Sequence, residues 1–584
     1  MAIEMLSAIR WRRGFQVVCI VSGIGLLLGL GYLNTVPQPP LSTIQFVMLY
    51  GGIGLIVWGL GGGWPGLTAL LRSEPALTRN EILALLAILV LAFGLRLWRL
   101  EDSIRVLVDE LNPINEILHL WDNPRLPILE PIQPYSPFPR VFAAWGAAAA
   151  SQFGHTLWAL RLPSVVVGTL TVGVVYFLGR SLFTGKTALM AALLLATIPL
   201  HLHFSRINAL HVADPLVGSL AVWFLVGALR SNQHMAWTLS GAALGLTQYF
   251  YEGGRLLFPG LVAVWLLLKL LHQPQNWQQW RRGLMIWCVT AVIVAAPVYI
   301  TLSQFQEPAA ARLNQNLPPA DYLYALLTAR PGSNAFQWLG QHLLNPLLLF
   351  ISQPDTGVFY GGDQPLILLV LLPAFFAGLF WAGKVSSGRM LLLWFALTWA
   401  GNLLLADSAL ASRYVVVLPA VVLLLALGIT SVATHLKVKQ RDTLAWGYVV
   451  ACCLIQVIYY FGPHLDTFNR QIRPDRRDAY DAILRTADLP PGTRIYLVQP
   501  PPTMTETYAR TFLRYVAPDL EIYFVDDVRG LDWEQLAGPV AFFVPRDAAE
   551  TIALLNQHFD LQPPQDTPYF VPAETYRLYR PTFH

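Results

Sequence analysis

Asp109 and Glu110 stand side by side in the segment RVLVDELNPINEI, directly after a strongly apolar stretch of the chain. The aliphatic residues before the pair are expected to hold it close to a bilayer surface rather than far out in water. A carboxylate in such a place is suited to take a proton from a hydroxyl group as a general base. An acidic pair can equally be a solvated loop charge or a helix cap. We predict that Asp109 and Glu110 are catalytic.

Further polar residues recur near the ends of other apolar segments. They are His203, Arg206, His211 and Asp214 in FSRINALHVADP, Tyr251, Glu252 and Arg255 in QYFYEGGRLLFP, Asp363 in GGDQP, and Asp407 and Arg413 in LADSALASRYVVVLP. Ionisable side chains that converge at one membrane face indicate a polar cavity. The residues predicted to bind substrate there are Arg206, Asp214, Tyr251, Glu252, Arg255, Asp363 and Arg413.

Two of these arginines have a chemistry of their own. Arg255 and Arg413 each begin an apolar helix, where a guanidinium adds to the positive end of the helix dipole and suits a phosphate. Snorkelling of the side chain towards the membrane surface is the alternative. Arg206 and Asp214 can instead pair with each other across a short turn. The histidines match no standard ligand spacing, so they predict no metal site.

Composition places the chain in a membrane. Of its 584 residues, 55% are hydrophobic and 13% charged, and the mean hydropathy is +0.49, which is too apolar for a soluble fold. The net charge of +4 is spread in ones and twos, so nucleic-acid binding is not expected. All four cysteines fall in apolar segments, which argues against a disulfide framework or a thiolate zinc site.

Span length and basic residues give the predicted topology. About thirteen membrane helices are expected, beginning near residues 14, 43, 81, 161, 187, 212, 236, 255, 283, 365, 390, 413 and 444. Basic residues mark alternate loops as cytoplasmic. They are Arg10, Arg12, Arg13, Arg72, Arg79, Arg180, Lys186, Arg230, Lys269, Arg281, Arg282, Lys384, Arg389, Lys437, Lys439 and Arg441. The amino terminus is therefore predicted to be cytoplasmic and the carboxyl-terminal segment extracytoplasmic.

The outer face then receives the long polar segments. Loops 100–160 and 304–364 lie there, together with everything after about residue 463. The stretches SPFPRVFAAWGAAAASQFG and QHLLNPLLLFISQ are predicted to be helices that lie along the outer interface rather than cross it.

After Pro463 the composition becomes that of a soluble domain of about 110 residues. Helical periodicity marks RRDAYDAILRTA, MTETYARTFLRYV and AAETIALLNQHF, while GTRIYLV, LEIYFVDD and PVAFFVP are predicted to be short buried strands. The predicted fold is therefore mostly α: a polytopic membrane bundle with a small extracytoplasmic α/β domain. Its predicted parts are two additional helices in residues 1–80, a core in residues 81–462 and the domain in residues 463–584.

The core resembles a known family. An outer acidic pair after a membrane helix, the segment LWALRLPSVVVGTLTV followed by LGRSLF, and DSALASRYVVVLPAVVLLLALG are similar to bacterial GT-C membrane glycosyltransferases of the protein mannosyltransferase and aminoarabinose transferase type. The resemblance covers residue 81 to about residue 435, so the first two helices and the last domain lie outside it. GGDQP is only loosely similar to the later loop motif of that family.

The resemblance implies an activity and roles for residues. Such enzymes move a sugar from a polyprenyl-phosphate carrier to an acceptor on the extracytoplasmic side, with inversion. By the resemblance, Asp109 is the catalytic carboxylate, Glu110 is the second acid and Arg413 binds the lipid phosphate, while Arg206 and Asp214 border the same cavity. The expected partners are a polyprenyl-phosphate sugar, a glycan, lipid or protein acceptor, and membrane lipid. No cofactor is certain, although a divalent cation can assist such chemistry.

Two other functions are compatible with the sequence. A transporter or flippase of a lipid-linked or anionic substrate also needs a charged cavity among many helices, but it is expected to place ionisable groups near the bilayer midplane. Asp407 and Glu252 lie close enough to helix interiors to keep that alternative open. A binding or assembly protein that works through its outer domain is the second alternative. We expect a multi-pass protein of the plasma membrane in each case.

Overall fold

The computed structural model describes residues 2–73, 76–132, 139–304, 327–328, 330–405, 408–436, 438–471, 479–501, 505–533, 536, 538–567 and 576–582. Asp407 and Lys437, which the sequence analysis singled out, lie outside these residues.

The chain is mostly α-helical, and nearly all of its helices precede the last domain. The helices are α1 (Ala2–Leu33), α2 (Ser42–Leu60), α3 (Gly63–Ser73), α4 (Arg79–Leu97), α5 (Leu111–Asp122), α6 (Val141–Phe153), α7 (Leu157–Leu182), α8 (Gly185–Thr197), α9 (Pro199–Phe204), α10 (Ala213–Ser231), α11 (His234–Leu246), α12 (Glu252–His272), α13 (Trp277–Leu302), α14 (Asn334–Ile351), α15 (Leu372–Lys384), α16 (Ser386–Leu403), α17 (Leu418–His435), α18 (Arg441–Tyr459), α19 (Leu465–Gln471), α20 (Ala479–Leu484), α21 (Glu506–Val516) and α22 (Ala549–His558).

Within the described ranges, nine helices are long and apolar enough to cross a bilayer, or ten if the pair α15 and α16, bent by 120°, counts as one span. The predicted fold class of a polytopic helical membrane protein is confirmed. Helices stand at the predicted positions, but α8 and α11 have 13 residues each. At 1.5 Å per residue that is about 20 Å, which is less than the apolar thickness of a bilayer. By length and composition, the described residues therefore contain nine or ten candidate spans, whereas about thirteen were predicted.

The two stretches predicted as interfacial are short helices. SPFPRVFAAWGAAAASQFG contains α6, and QHLLNPLLLFISQ forms most of α14. Helix α6 has 13 residues and ends at Gly154, whose φ of +92° lies in the region that favours glycine. That either helix lies along a membrane surface stays a prediction.

The centre of the bundle is the helix that follows Arg413. In the candidate span Ala411–His435, 83% of the most apolar stretch is buried, compared with 22% for Arg79–Leu97. Its residues Val421, Leu423 and Leu425 are inaccessible to solvent. Arg413 therefore lies in the first turn of the most buried of the candidate spans among the described residues.

The predicted strands of the last domain are all present. They are β1 (Arg494–Val498), β2 (Glu521–Val525) and β3 (Val540–Pro545), and a fourth strand that the sequence analysis did not identify is β4 (Tyr576–Tyr579). The order in the sheet is β2-β1-β3-β4. Strands β1, β2 and β3 run parallel, and β4 is antiparallel to β3. Helices α20, α21 and α22 lie where periodicity predicted helices.

This domain shares a hydrophobic core with α5 and the start of α7. Ile117 of α5 and Leu157 of α7 pack in one cluster with Ile495, Phe512 and Leu513 of the domain. Helices α5 and α21 face each other across it. Since α5 follows directly after Asp109 and Glu110, the domain rests on the helix that begins at the acidic pair.

The first two helices pack closely on each other and on α13. A Cβ atom on Gly23 of α1 would lie 2.9 Å from the carbonyl oxygen of Gly52 of α2. A Cβ atom on Gly31 would lie 3.0 Å from the Cα atom of Pro297 in α13. Because glycine alone permits these approaches, the amino-terminal pair is fitted to the side of the bundle.

Candidate active site

Glu110 is buried in a network that fixes the turn around the acidic pair. The side chain is 1% exposed. Its carboxylate accepts hydrogen bonds from Arg161 Nε at 2.9 Å and Nη2 at 2.8 Å, and from the backbone N–H groups of Leu107 and Asn208. These four bonds use both oxygen atoms, which is how a buried carboxylate is stabilised.

Arg161 is the centre of this arrangement, and sequence reasoning missed it. Besides pairing with Glu110, its guanidinium donates to the carbonyl oxygens of Leu100, Ile104 and Arg105. Those residues form the segment that leads from α4 to the acidic pair. The arginine stands in LWALRLPSV, so a single basic residue within a long apolar helix was the available signal.

The same segment is tied to the end of the last membrane helix region. Asn469 of α19 accepts a hydrogen bond from the backbone N–H of Arg105 and donates one to the carbonyl of Ser103. Asn469 is 2% exposed. Residues more than 360 positions apart therefore order the approach to Asp109.

Asp109 differs from its neighbour in being partly exposed. It lies in the 3-10 turn Val108–Glu110 that precedes α5. A carboxylate that remains accessible beside a rigidly held neighbour can meet a substrate, whereas Glu110 is enclosed. The two acids of the pair thus have different environments.

Arg206 is wholly buried and holds the end of α4. Its guanidinium donates to the carbonyl oxygens of Leu95 and Trp98 at 2.7 Å each, and it lies over the ring of Phe461 with its Cζ atom 4.8 Å from the ring centre. Burial lowers the pKa of this guanidinium. The carbonyl groups at a helix end need such donors. This placement favours a structural role, and substrate binding by Arg206 stays an untested prediction.

Asp214 organises the start of α12. It is 1% exposed and accepts hydrogen bonds from the backbone N–H of Tyr251 at 3.1 Å and of Gly254 at 2.7 Å. A Cβ atom on Gly254 would lie 2.5 Å from the carboxyl carbon, so glycine is required there. The ring of Tyr251 lies 3.9 Å from that of His211. Asp214 therefore fixes the backbone beside Glu252.

A cavity of about 240 Å³ lies between α12, α16 and the turn that carries Arg413. Its lining is apolar apart from a few polar groups: Tyr251, Glu252, Gly253, Leu256, Leu257, Gly260, Leu397, Thr398, Gly401, Asn402, Leu405, Arg413 and Val416. Leu256 is 48% exposed, so the cavity borders the surface of the helix bundle. Three of the predicted site residues, Tyr251, Glu252 and Arg413, meet here.

Arg255 and Asp363 are placed elsewhere. Arg255 is 3% exposed and donates from Nη2 to the carbonyl of Gln248 at 2.8 Å. Asp363 is exposed and accepts a hydrogen bond from the hydroxyl of Tyr459 at 3.0 Å. Neither residue is among the described lining of the cavity, and their predicted binding roles are untested.

Asp355 is a buried acid that sequence reasoning missed. It is 2% exposed and accepts hydrogen bonds from the backbone N–H of Gly361 at 3.0 Å and of Ala411 at 3.1 Å. Burial raises the pKa of its carboxyl group, and the backbone N–H groups oppose that shift. The bond to Ala411 fastens the loop after α14 to the turn that presents Arg413. In SQPDTGVFYGG the acid resembles an ordinary turn residue, so no local signal marked it.

A second cavity of about 440 Å³ lies at the carboxyl end of the parallel strands, beside α22. Its lining includes Asp526, Asp527, Asp547 and Glu550 against a single arginine, Arg529. So acidic a lining does not suit a phosphate. Among the described residues, no group of three His, Cys, Asp or Glu side chains is arranged to hold a metal ion. The expectation of a possible divalent cation remains untested.

Residues 138–300 match the family model described as dolichyl-phosphate-mannose-protein mannosyltransferase. This stretch is similar to that mannosyltransferase family. It includes Arg161, Asp214 and Glu252, and the resemblance predicted from the sequence is confirmed there. No curated protein is recognisably similar to the whole chain in sequence.

Two solved structures are similar to this chain at low identity. ArnT from Cupriavidus metallidurans bound to undecaprenyl phosphate is 15% identical, with a TM-score of 0.46, over 86% of this chain and 98% of that one. The Archaeoglobus fulgidus oligosaccharyltransferase in the apo form is 14% identical, with a TM-score of 0.44, over 76% of this chain and 64% of that one. The chain thus spans less than two thirds of the oligosaccharyltransferase. At these scores neither structure identifies a site residue here.

Proposed function

We propose that this protein is an inverting glycosyltransferase that moves a sugar from a polyprenyl-phosphate carrier to an acceptor hydroxyl on the extracytoplasmic face. The observation that carries the proposal is the cavity in which Arg413 and Glu252 lie beside leucine side chains at the surface of the helix bundle. A polyprenyl phosphate has the same two parts, an apolar chain and an anionic head. The match of residues 138–300 to the mannosyltransferase family supports it independently.

The reaction needs a general base and a positive group that stabilises the leaving phosphate. The acceptor oxygen attacks the anomeric carbon as the bond between that carbon and the phosphate oxygen breaks, and the hydroxyl proton passes to the carboxylate of Asp109. Attack from the face opposite the leaving phosphate inverts the anomeric centre. The lipid phosphate departs as an anion and needs no proton, so the guanidinium of Arg413 stabilises it by charge and hydrogen bonds.

The buried residues around these groups are assigned positioning roles. Glu110, held by Arg161, keeps Asp109 in place without meeting substrate. Glu252 supplies a carboxylate within the cavity that suits a hydrogen bond from a sugar hydroxyl. Asp214 keeps Glu252 in register by fixing the first turn of α12.

The proposal is tested by incubating the purified protein with a panel of polyprenyl-phosphate sugars and measuring the release of free lipid phosphate. Asp109→Asn is expected to lose turnover by about 10²- to 10⁴-fold, the usual contribution of a general base. Asp122→Asn, at the other end of α5 and 49% exposed, is the matched control and should keep it. Movement of intact carrier across vesicles without release of lipid phosphate would instead favour the transporter.

A further inference from the structure

Two buried amide side chains of the amino-terminal helices bond to the backbone of the first outer loop. Asn34, just after α1, is 1% exposed, and its Oδ1 accepts a hydrogen bond from the N–H of Leu129 at 2.9 Å. Gln45 of α2 is 0% exposed, and its Oε1 accepts from the N–H of Ile128 at 2.9 Å. Its Nε2 donates to the carbonyl of Leu126 at 3.0 Å.

Apolar contacts and a backbone bond join the same surfaces. Ile128 and Leu129 are fully buried and pack with Leu27, Leu30 and Leu49 of the two helices. The N–H of Ser42 donates to the carbonyl of Pro124 at 2.8 Å. The indole N–H of Trp145 in α6 donates to the hydroxyl of Tyr50 in α2 at 2.8 Å.

Burying an amide side chain is costly unless its hydrogen bonds are satisfied. Asn34 and Gln45 are satisfied largely by the loop, since only the bonds to Leu30 and Pro40 stay within their own segment. An apolar side chain at either position would pack in the bundle without that cost. The amide side chains of Asn34 and Gln45 therefore stabilise the contact with the loop rather than the packing of the two helices.

The held segment is connected to the acidic pair. Arg140 pairs with Glu130, the residue after Leu129, and also with Glu116 of α5. Burial lowers the pKa of the Arg140 guanidinium, but the two carboxylates outweigh that effect, so its pKa is raised and it remains charged. Helix α5 begins directly after Asp109 and Glu110. A continuous set of contacts thus runs from the amino-terminal helices to the turn that carries Asp109.

We infer that Asn34 and Gln45 are positioning residues that clamp the first outer loop, so that the two helices outside the family resemblance set the geometry of Asp109. This inference rests on the proposed transfer reaction for its kinetic consequence. The clamp itself is a structural statement and can be measured without any substrate.

The test uses the full-length protein with Asn34→Leu and Gln45→Leu, made singly and together. Amide hydrogen exchange followed by mass spectrometry is expected to rise in the peptide that spans residues 124–132 and in α5, and to stay unchanged in α12 and α16. With a polyprenyl-phosphate sugar, kcat should fall by about 10-fold or more, since small misplacements of a catalytic group are costly. The KM for the donor should change by less than about 2-fold, because the donor cavity is intact.

Thr35→Ala is the matched control, since the hydroxyl of Thr35 bonds only to the nearby carbonyl of Tyr32 among the described contacts. It should alter neither exchange nor kcat. Unchanged exchange in residues 124–132 of the double variant overturns the clamp, as does a uniform rise over the whole bundle. If the unaltered protein releases no lipid phosphate from any donor, the proposed function fails instead, and the exchange result still decides the clamp.

Discussion

Glu110 and Arg161 form an ion pair in which the side chains are 1% and 0% exposed, with Nη2 and Oε2 2.8 Å apart. Glu110, the residue beside the proposed base, thus holds the loop in place. The carboxylate oxygens of Glu110 also accept hydrogen bonds from the backbone N–H groups of Leu107 and Asn208. The buried ion pair therefore has hydrogen-bond partners for both oxygens. Replacing the carboxylate by an amide should therefore affect the stability of the protein differently at Asp109 and at Glu110.

Glu110→Gln is expected to destabilise the protein. Removing one partner of a buried ion pair typically costs about 3–5 kcal/mol, since the remaining charge is left uncompensated. Asp109→Asn, at a partly exposed position, should leave stability within about 0.5 kcal/mol. Thermal unfolding of the two variants in detergent, measured beside turnover, checks this. Equal losses of stability in both variants would contradict the division of roles.

Arg413→Gln is expected to weaken the binding of the polyprenyl-phosphate donor. Loss of charge-assisted hydrogen bonds to the phosphate should raise the donor KM by about 10- to 100-fold. Arg389→Gln is the control, because this exposed arginine lies at the opposite end of α16 from the part that lines the cavity. Steady-state kinetics with varied donor give the result. An unchanged KM in the first variant would remove Arg413 from the phosphate site.

Asp355 is expected to affect donor binding indirectly, by holding the turn that carries Arg413. Asp355→Asn loses the carboxylate that holds Ala411, so the donor KM is expected to rise by about 10-fold, equivalent to about 1.4 kcal/mol. Combined with Arg413→Gln, it should add little to the effect of that substitution alone. A double-mutant cycle measures this coupling. Additive effects would show that Asp355 contributes independently of the arginine.

The contact between α5 and the last domain should matter for both stability and transfer. Phe512 is fully buried in the shared core, so Phe512→Ala is expected to cost about 3–5 kcal/mol and to lower turnover. Arg514→Gln on the same helix removes only an exposed ion pair with Asp122 and should cost about 1 kcal/mol or less. Unfolding and turnover assays on both variants compare the two faces of α21. Full activity in a destabilised Phe512→Ala protein would show that the packing of the last domain on α5 does not affect the reaction.

The helices and strands were predictable because their signals are local. Apolar length located the membrane helices, and short apolar runs located β1, β2 and β3. Apolar composition did not separate α8 and α11, with 13 residues each, from the longer helices, because a short helix buried among others is as apolar as a long one. Strand β4 comes long after β3 in the sequence, although the two strands are neighbours in the sheet, and it carries arginine, which weakened its pattern.

The site was predictable only in part. Tyr251, Glu252 and Arg413 do meet in one cavity, although they are far apart in the sequence. Arg206 has the same residue type and a similar setting, yet it bonds to carbonyl groups more than 100 residues away. Nothing in the neighbouring sequence distinguishes these cases, because partners set the role of a buried charge. Arg161 and Asp355 were missed for the same reason.

The turn that carries Asp109 depends on partners that the ribosome makes much later. Asn469 and the shared core with α21 follow it by more than 350 residues. A nascent chain can insert its first spans and form the contacts of Glu110 with Arg161 and Asn208 while the turn still lacks these later partners. The proposed base therefore has its complete set of supporting contacts only after the last domain has been translated and has folded.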